Sequence, residues 1–396
     1  MRNKLALILL CLLALHAGVA AATTSIATAA EECEKDLISL PAFLLENDTG
    51  APVHLAEKGQ AYFDQALVSA RTAAQGVADD KGCDAVMHDY LSKWRKWHLQ
   101  VGTIAPAAPA DAPAIAPATT AMPVPSEARL DAAQLPALRL LSSHTLLLSL
   151  HSFEPAYAQP LAQLLREHHD DLAGHGNWII DVRDSGGGSD DTYLPLLPWL
   201  LADESVEIGA DWLVTPANIA AQEAVCPMLG PSELKNCLAV IQPVLARMRQ
   251  AAPGSYIPVN AAINYRRHLP LEPHRPARVA VLIDHPCGSA CEQFVLTVKQ
   301  SFTVKLVGRN TIGALDYSNL RPQKLPSGRR ILLYAISRSR RLPSMQVDLG
   351  GIMPDIYLPA PADQAGRDEE IVRVRRWLEG GSLQPASARL DNEQTH

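Results

Sequence analysis

Apolar positions along the chain fall into three regimes. From Glu31 to about Gln100 they recur at helical spacing. Ala56 to Val77 carries alanines and aliphatic residues every three or four positions, and Gly82 to Trp97 continues with Ala85, Val86, Tyr90, Leu91 and Trp94. This predicts a small helical domain of three or four helices over 31–104, turning extended from His98 onward. Residues 105–128 are Ala/Pro-rich, with Pro106, Pro109, Pro113, Pro117, Pro123 and Pro125, the composition of a semi-rigid linker. Order returns at about Leu138. Strands are expected at 145–150, 177–183, 279–283, 303–308 and 330–336, and helices at 160–169, 194–201, 231–248 and from Ser289 to about Phe302. Val279-Ala280-Val281-Leu282-Ile283 is unbroken apolar, as in a strand buried on both faces. The alternation predicts an α/β layered domain over 138–380 and a tail over 381–396.

The amino terminus and the cysteines change this picture most. Arg2 and Lys4 precede the short apolar run Leu5 to Leu15, and small residues follow, so residues 1–22 read as a secretion signal. No later run is long enough to span a membrane, and the expected location is periplasmic or extracellular. The formal charge is −7, about −9 without the signal's two cations, which argues against nucleic acid as partner. Setting Cys11 aside leaves Cys33, Cys83, Cys226, Cys237, Cys287 and Cys291, an even set in an exported chain. Cys33–Cys83 and Cys226–Cys237 each fall within one local segment and are the expected disulfides. Cys287 and Cys291 remain, flanking Ser289, where a strand-to-helix turn argues against a bridge. Zinc is a rival reading of the cysteines, but no histidine stands at ligand-like spacing from them.

Two strand ends carry complementary chemistry. Ser289 lies between an apolar strand and a helix, where free backbone N–H groups and the helix dipole would stabilise an oxyanion. A helix-capping serine is the alternative. Gly186-Gly187-Gly188 follows the strand 177–183 and could expose N–H groups without side-chain interference, a flexible turn being the alternative.

Asp181-Val182-Arg183-Asp184-Ser185-Gly186-Gly187-Gly188 resembles the Asp-x-Arg-x-Asn-x-Gly-Gly signature of the tail-specific (carboxy-terminal processing) serine peptidases, with Ser185 in place of Asn. Gly288-Ser289-Ala290-Cys291-Glu292-Gln293-Phe294 resembles their Ser-Ala-x-Glu-x-Phe nucleophile motif. Gly308 to Gly313 resembles Gly-x-x-Thr-x-Gly, and Gly351 to Ile356 the closing Gly-Ile-x-Pro-Asp-Ile. All four occur in the family's order. One branch of that family uses a lysine base directly after the Gly-x-x-Thr-x-Gly run; here Ala314 stands there. The stretch from Val101 to Leu138 is also too short for that branch's PDZ domain. Both departures point to the branch resembling the tricorn-protease core and interphotoreceptor retinoid-binding protein, which draws a histidine from its N-terminal segment. Tyr90 to Val101 is similar to that branch's Tyr-Leu-x-x-x-x-Asp-x-His-Leu-x-Val, with Lys96 replacing the acid. Trp97 stands where tricorn-like enzymes place a further serine.

The resemblance implies a crotonase/Clp-protease-like layered ββα superhelix core behind the helical N-terminal domain. It implies Ser289 as nucleophile, His98 as general base and Asp348 as the acid orienting the imidazole, with Gly187 or Gly188 and Ala290 forming the oxyanion hole. The expected activity is hydrolysis of a peptide or protein substrate through an acyl-enzyme, with no metal or organic cofactor. A ligand- or peptide-binding protein on the same fold is the alternative. An α/β-hydrolase-type esterase is disfavoured, because Cys287-Gly288-Ser289-Ala290-Cys291 lacks the Gly-x-Ser-x-Gly elbow.

Overall fold

A computed structural model describes residues 28–104, 130–228, 231–259, 262–348 and 350–383. The expected signal segment, the Ala/Pro linker and the tail beyond 383 lie outside the described residues.

The N-terminal pattern folds as four helices, Ala29–Asn47, Ala51–Lys58, Gln60–Ala74 and Asp80–Trp94. Thr28 and Glu31 form a reciprocal capping box on the first, and Asp79 caps the last. The Cys33–Cys83 disulfide joins those two helices. Their apolar faces bury Leu37, Leu40, Leu44, Phe63, Met87 and Trp94, with the Phe63 and Trp94 rings stacked at 3.9 Å. The same core takes in Leu332, Tyr334 and Ile336 from the strand Arg330–Ser339. The strand Gln100–Thr103, where the sequence turns extended, pairs antiparallel with that long strand. The helices are therefore packed onto the second half of the chain by a shared core and a shared sheet.

Arg330–Ser339 also pairs antiparallel with Tyr317–Lys324 and Ala210–Leu213, and the latter with Tyr256–Pro258. Most of this sheet is absent from the sequence-based expectation. Tyr317–Lys324 is polar and contains Pro322. It tolerates that proline because it pairs on one side only, so an N–H is dispensable there.

The second sheet has six strands in the order Ile356–Tyr357, Val304–Gly308, Arg278–Ile283, Asn177–Asp181, Thr145–Ser149, Ala137–Leu140. All its pairs are parallel except the last. Val279, Val281 and Ile283 face one core and Ala280 and Leu282 the other, as an unbroken apolar run requires. The helix Gln364–Leu378 covers one face and Ala290–Val298 the other.

Two expectations are corrected. The helix after Ser289 ends at Val298 rather than Phe302: tighter turns follow, with Gln300 N–H on Thr297 O and Ser301 N–H on Val298 O, and Phe302 is fully exposed. Cys287 and Cys291 are disulfide-bonded, as are Cys33–Cys83 and Cys226–Cys237. Ser289 lies at positive φ between them, and the folded-back turn brings their Cα atoms to 5.4 Å, inside bridging range.

The helical segment is also held by charge. Arg330, fully buried, bonds Asp36, Asp80 and Asp84 of the first and fourth helices. Arg330→Met leaves the buried Asp36 without its cation and is expected to destabilise the fold by about 3–5 kcal/mol, read by urea denaturation.

Candidate active site

Ser289 ends the turn that follows the strand Arg278–Ile283 and opens the helix Ala290–Val298 at φ 55°, ψ −120°. A non-glycine residue there costs about 1–3 kcal/mol and persists only where its surroundings over-determine it. The Ser289 N–H donates to the carboxylate of Glu292 at 3.2 Å, and Gly288 N–H donates to Ser185 O at 3.1 Å. The second bond ties the serine turn to the glycine loop after the neighbouring strand.

That loop touches the turn directly. Gly187, at φ 101°, lies so close that a Cβ there would stand 2.8 Å from Ser289 Cβ and 3.0 Å from Ala290 N. Gly187 O accepts from Phe153 N–H, so the Gly188 N–H, antiparallel across the same trans peptide, points away from that strand. A Cβ on Gly188 would stand 2.1 Å from the Phe153 carbonyl. Among the described residues the N–H groups of Gly187, Gly188 and Ala290 have no hydrogen-bond partner.

Glu292 is fully buried and collects further donors: Thr311 Oγ1 at 2.5 Å and the N–H groups of Gly313 and Ala314 at 2.8 Å each. Burial pushes its pKa up, and these hydrogen bonds oppose that. Through Glu292 the serine turn is fastened to the segment 311–317.

The same segment holds His98. Its Nδ1 bonds Tyr317 O at 2.5 Å. A carbonyl only accepts, so Nδ1 carries the proton, leaving a lone pair on Nε2, which has no hydrogen-bond partner among the described residues. The ring is 9% exposed, and burial, with the nearby Arg95 charge, lowers its pKa to about 4. His98 itself is at φ 57°. Arg95 fixes it there: its guanidinium donates to Trp97 O and His98 O, both at 2.8 Å, and forms a fork on Asp48 at 2.7 and 2.8 Å. The backbone groups holding the Glu292 carboxylate and the imidazole, Ala314 N and Tyr317 O, bound a stretch of four residues, a span of at most about 14 Å.

Asp348 hangs on this segment as well, but not on the imidazole. Its Oδ1 accepts the N–H groups of Leu315 and Asp316 at 2.7 Å each, and burial raises its pKa to about 6. The partner of His98 Nδ1, expected at Asp348, is thus the Tyr317 carbonyl. Sequence reasoning assigned no role to Glu292, although the nucleophile motif contains it, and missed Arg95 and Asp48, whose pairing across 47 positions leaves no local pattern.

A serine at positive φ at a helix start, a glycine loop packed against it, and a buried imidazole tied to the same 311–317 segment as the serine turn are what the mixed α/β scaffold sets out here. The sequence matches peptidase family S41 over residues 144–358, more than half of the chain, and the protein belongs to that family. Mature CPAF has a similar fold at 12% identity, covering 90% of this chain and 99% of its own, with a TM-score of 0.57. A putative peptidase from Parabacteroides merdae does so at 12% identity, covering 87% and 96%, with a TM-score of 0.52. No curated protein matches the sequence.

The His98 environment also predicts a stability profile. Its folded-state pKa, about 4, lies below the ordinary 6.5. On acidification the unfolded chain therefore binds the proton first, and stability is lost as pH falls from about 6.5 towards 4. Denaturant midpoints measured across that window should fall less in His98→Ala than in the wild type.

Proposed function

We propose that the protein is an exported serine-type peptidase that cleaves peptide or protein substrates through an acyl-enzyme. Ser289 Oγ attacks the scissile carbonyl and His98 Nε2 takes its proton. The Ala290 N–H and that of Gly187 or Gly188 receive the developing oxyanion. Protonated His98 then gives its proton to the leaving amine, and water repeats the sequence to release the acid. Asp348 acts on His98 through the backbone: by binding the N–H groups of Leu315 and Asp316 it fixes the segment whose Tyr317 carbonyl holds the imidazole. No metal or organic cofactor is required in this scheme. The three disulfides support an oxidising compartment. Among the described residues no helix is long and apolar enough to cross a membrane.

The observation that carries this reading is Ser289 at φ 55° with the Gly187 backbone packed against it. Ser289 stands in a capping box with Glu292, but capping alone does not call for such strain, which is useful for a nucleophile beside free N–H groups.

The test is hydrolysis of a denatured protein and of short-chain esters by the mature protein and its variants. Ser289→Ala and His98→Ala should each lower kcat by about a thousandfold or more. Gly187→Ala, whose methyl group would occupy the bay, should lower kcat by at least about a hundredfold. Hydrolysis unaffected by Ser289→Ala would refute the assignment. Well-folded wild type that binds peptides without cleaving them would instead establish a binding protein on a peptidase fold.

A further inference from the structure

The nucleophile turn contains a bond that the proposed mechanism does not use. Cys287 and Cys291 stand two residues before and two residues after Ser289, and their disulfide closes a ring with the serine at its midpoint. Both cysteines are fully buried, in the core cluster that also includes Ala290, Phe294, Leu315 and Val347.

The other constraints on the turn are packing and hydrogen bonds: the Gly187 backbone lies against Ser289 and Gly288 N–H donates to Ser185 O. Cys287 N–H donates to Asp284 O, Ile312 N–H donates to Cys287 O, and Cys291 N–H donates to Gly288 O. Ser289 itself is held by its N–H on Glu292, at a long 3.2 Å, and by its carbonyl accepting from Gln293 N–H. Those bonds must hold a residue at φ 55°, ψ −120°, a conformation that relaxes unless its neighbours over-determine it. A covalent link between Cα atoms 5.4 Å apart adds to them a constraint that spans the serine itself. It closes a loop of only five residues, so its entropic effect on global stability is below that of a longer loop; its further effect falls on the conformation of the residues it encloses.

Taking Ser289 as the nucleophile, we propose that the Cys287–Cys291 disulfide is a positioning brace for that serine, and that the enzyme gains activity when the bond forms. In the reduced chain the two thiols leave the turn free to relax, withdrawing Oγ from His98 and the Ala290 N–H from the oxyanion position. Oxidation transfers two electrons from the two thiols to an external disulfide, which is cleaved to two thiols. The sulfur–sulfur bond forms within the turn, and the two protons end on the departing thiols. A peptidase of this design stays weak in a reducing compartment and becomes competent in an oxidising one.

The test measures fluorophosphonate labelling of Ser289, together with kcat and KM for an ester substrate. The oxidised wild type is compared with Cys287→Ala/Cys291→Ala and with Cys226→Ala/Cys237→Ala, which removes a disulfide in another cluster. The brace predicts that kcat and the labelling rate fall about 10- to 100-fold in the first variant, with KM nearly unchanged, and stay at wild-type level in the second, although the thermal midpoint falls in both. Should the first variant not fold, wild type is titrated in glutathione buffers with each disulfide followed by mass spectrometry. Labelling should then track the Cys287–Cys291 bond and return on reoxidation. Equal labelling of the oxidised wild type and the first variant, or labelling that tracks another disulfide, overturns the brace while leaving the nucleophile in place. An oxidised wild type that is not labelled at Ser289 overturns the nucleophile and the brace together.

Discussion

The constraint on which the site depends is a buried carboxylate. Glu292, with no access to solvent, accepts from the Ser289 N–H, from Thr311 and from two consecutive N–H groups at Gly313 and Ala314. A carboxylate buried this deeply is tolerable only when its lone pairs are taken. The donors come from two places far apart in sequence, so satisfying the charge fixes the Ser289 turn against the segment 311–317. That segment also receives His98 at Tyr317 O and Asp348 at two N–H groups. Three side chains from three regions are thus referenced to seven residues of backbone.

The helical segment finds its purpose in this arrangement. On its own it is a four-helix packet stapled by Cys33–Cys83. Packed against the strand Arg330–Ser339, it delivers His98 in a strained backbone conformation, held by Arg95 and Asp48. Asp48 also accepts the N–H of Ala335 in that strand, so one carboxylate connects the histidine loop to the sheet beneath it. The ion pair is almost fully buried, the situation in which a pair contributes more to geometry than to net stability. The burial of the ring and the positive charge of Arg95 both favour neutral His98, the form that the proposed general base requires.

Much of this was legible in the sequence where the signal is local. Val279 to Ile283 declares a doubly covered strand by its unbroken apolar run, and Ser289 and Gly187 follow from their places at strand ends. His98 is singled out only through the order of motifs; Asp348, singled out the same way as the partner of its imidazole, binds the Leu315 and Asp316 N–H groups instead. What was not legible lies in pairings across long separations. The bond of His98 to Tyr317 spans 219 positions and involves a main-chain carbonyl, which no residue identity announces. The strand Tyr317–Lys324 is not anticipated, because its mostly polar residues and its proline carry no apolar pattern. The Cys287–Cys291 bridge was argued against because a turn from strand to helix was expected to hold the two apart; the positive φ of Ser289 folds them together.

The central claim is that a neutral His98, proton on Nδ1 and lone pair on Nε2, activates Ser289. The measurement that tests it most directly is the pH dependence of fluorophosphonate labelling, with the modified peptide mapped by mass spectrometry. The account predicts an adduct on Ser289 whose rate of formation is level at neutral pH and falls on acidification with a midpoint near 4, and a rate in His98→Ala that is low and free of that acid limb. A rate unchanged by His98→Ala, or an adduct on another residue, would contradict it.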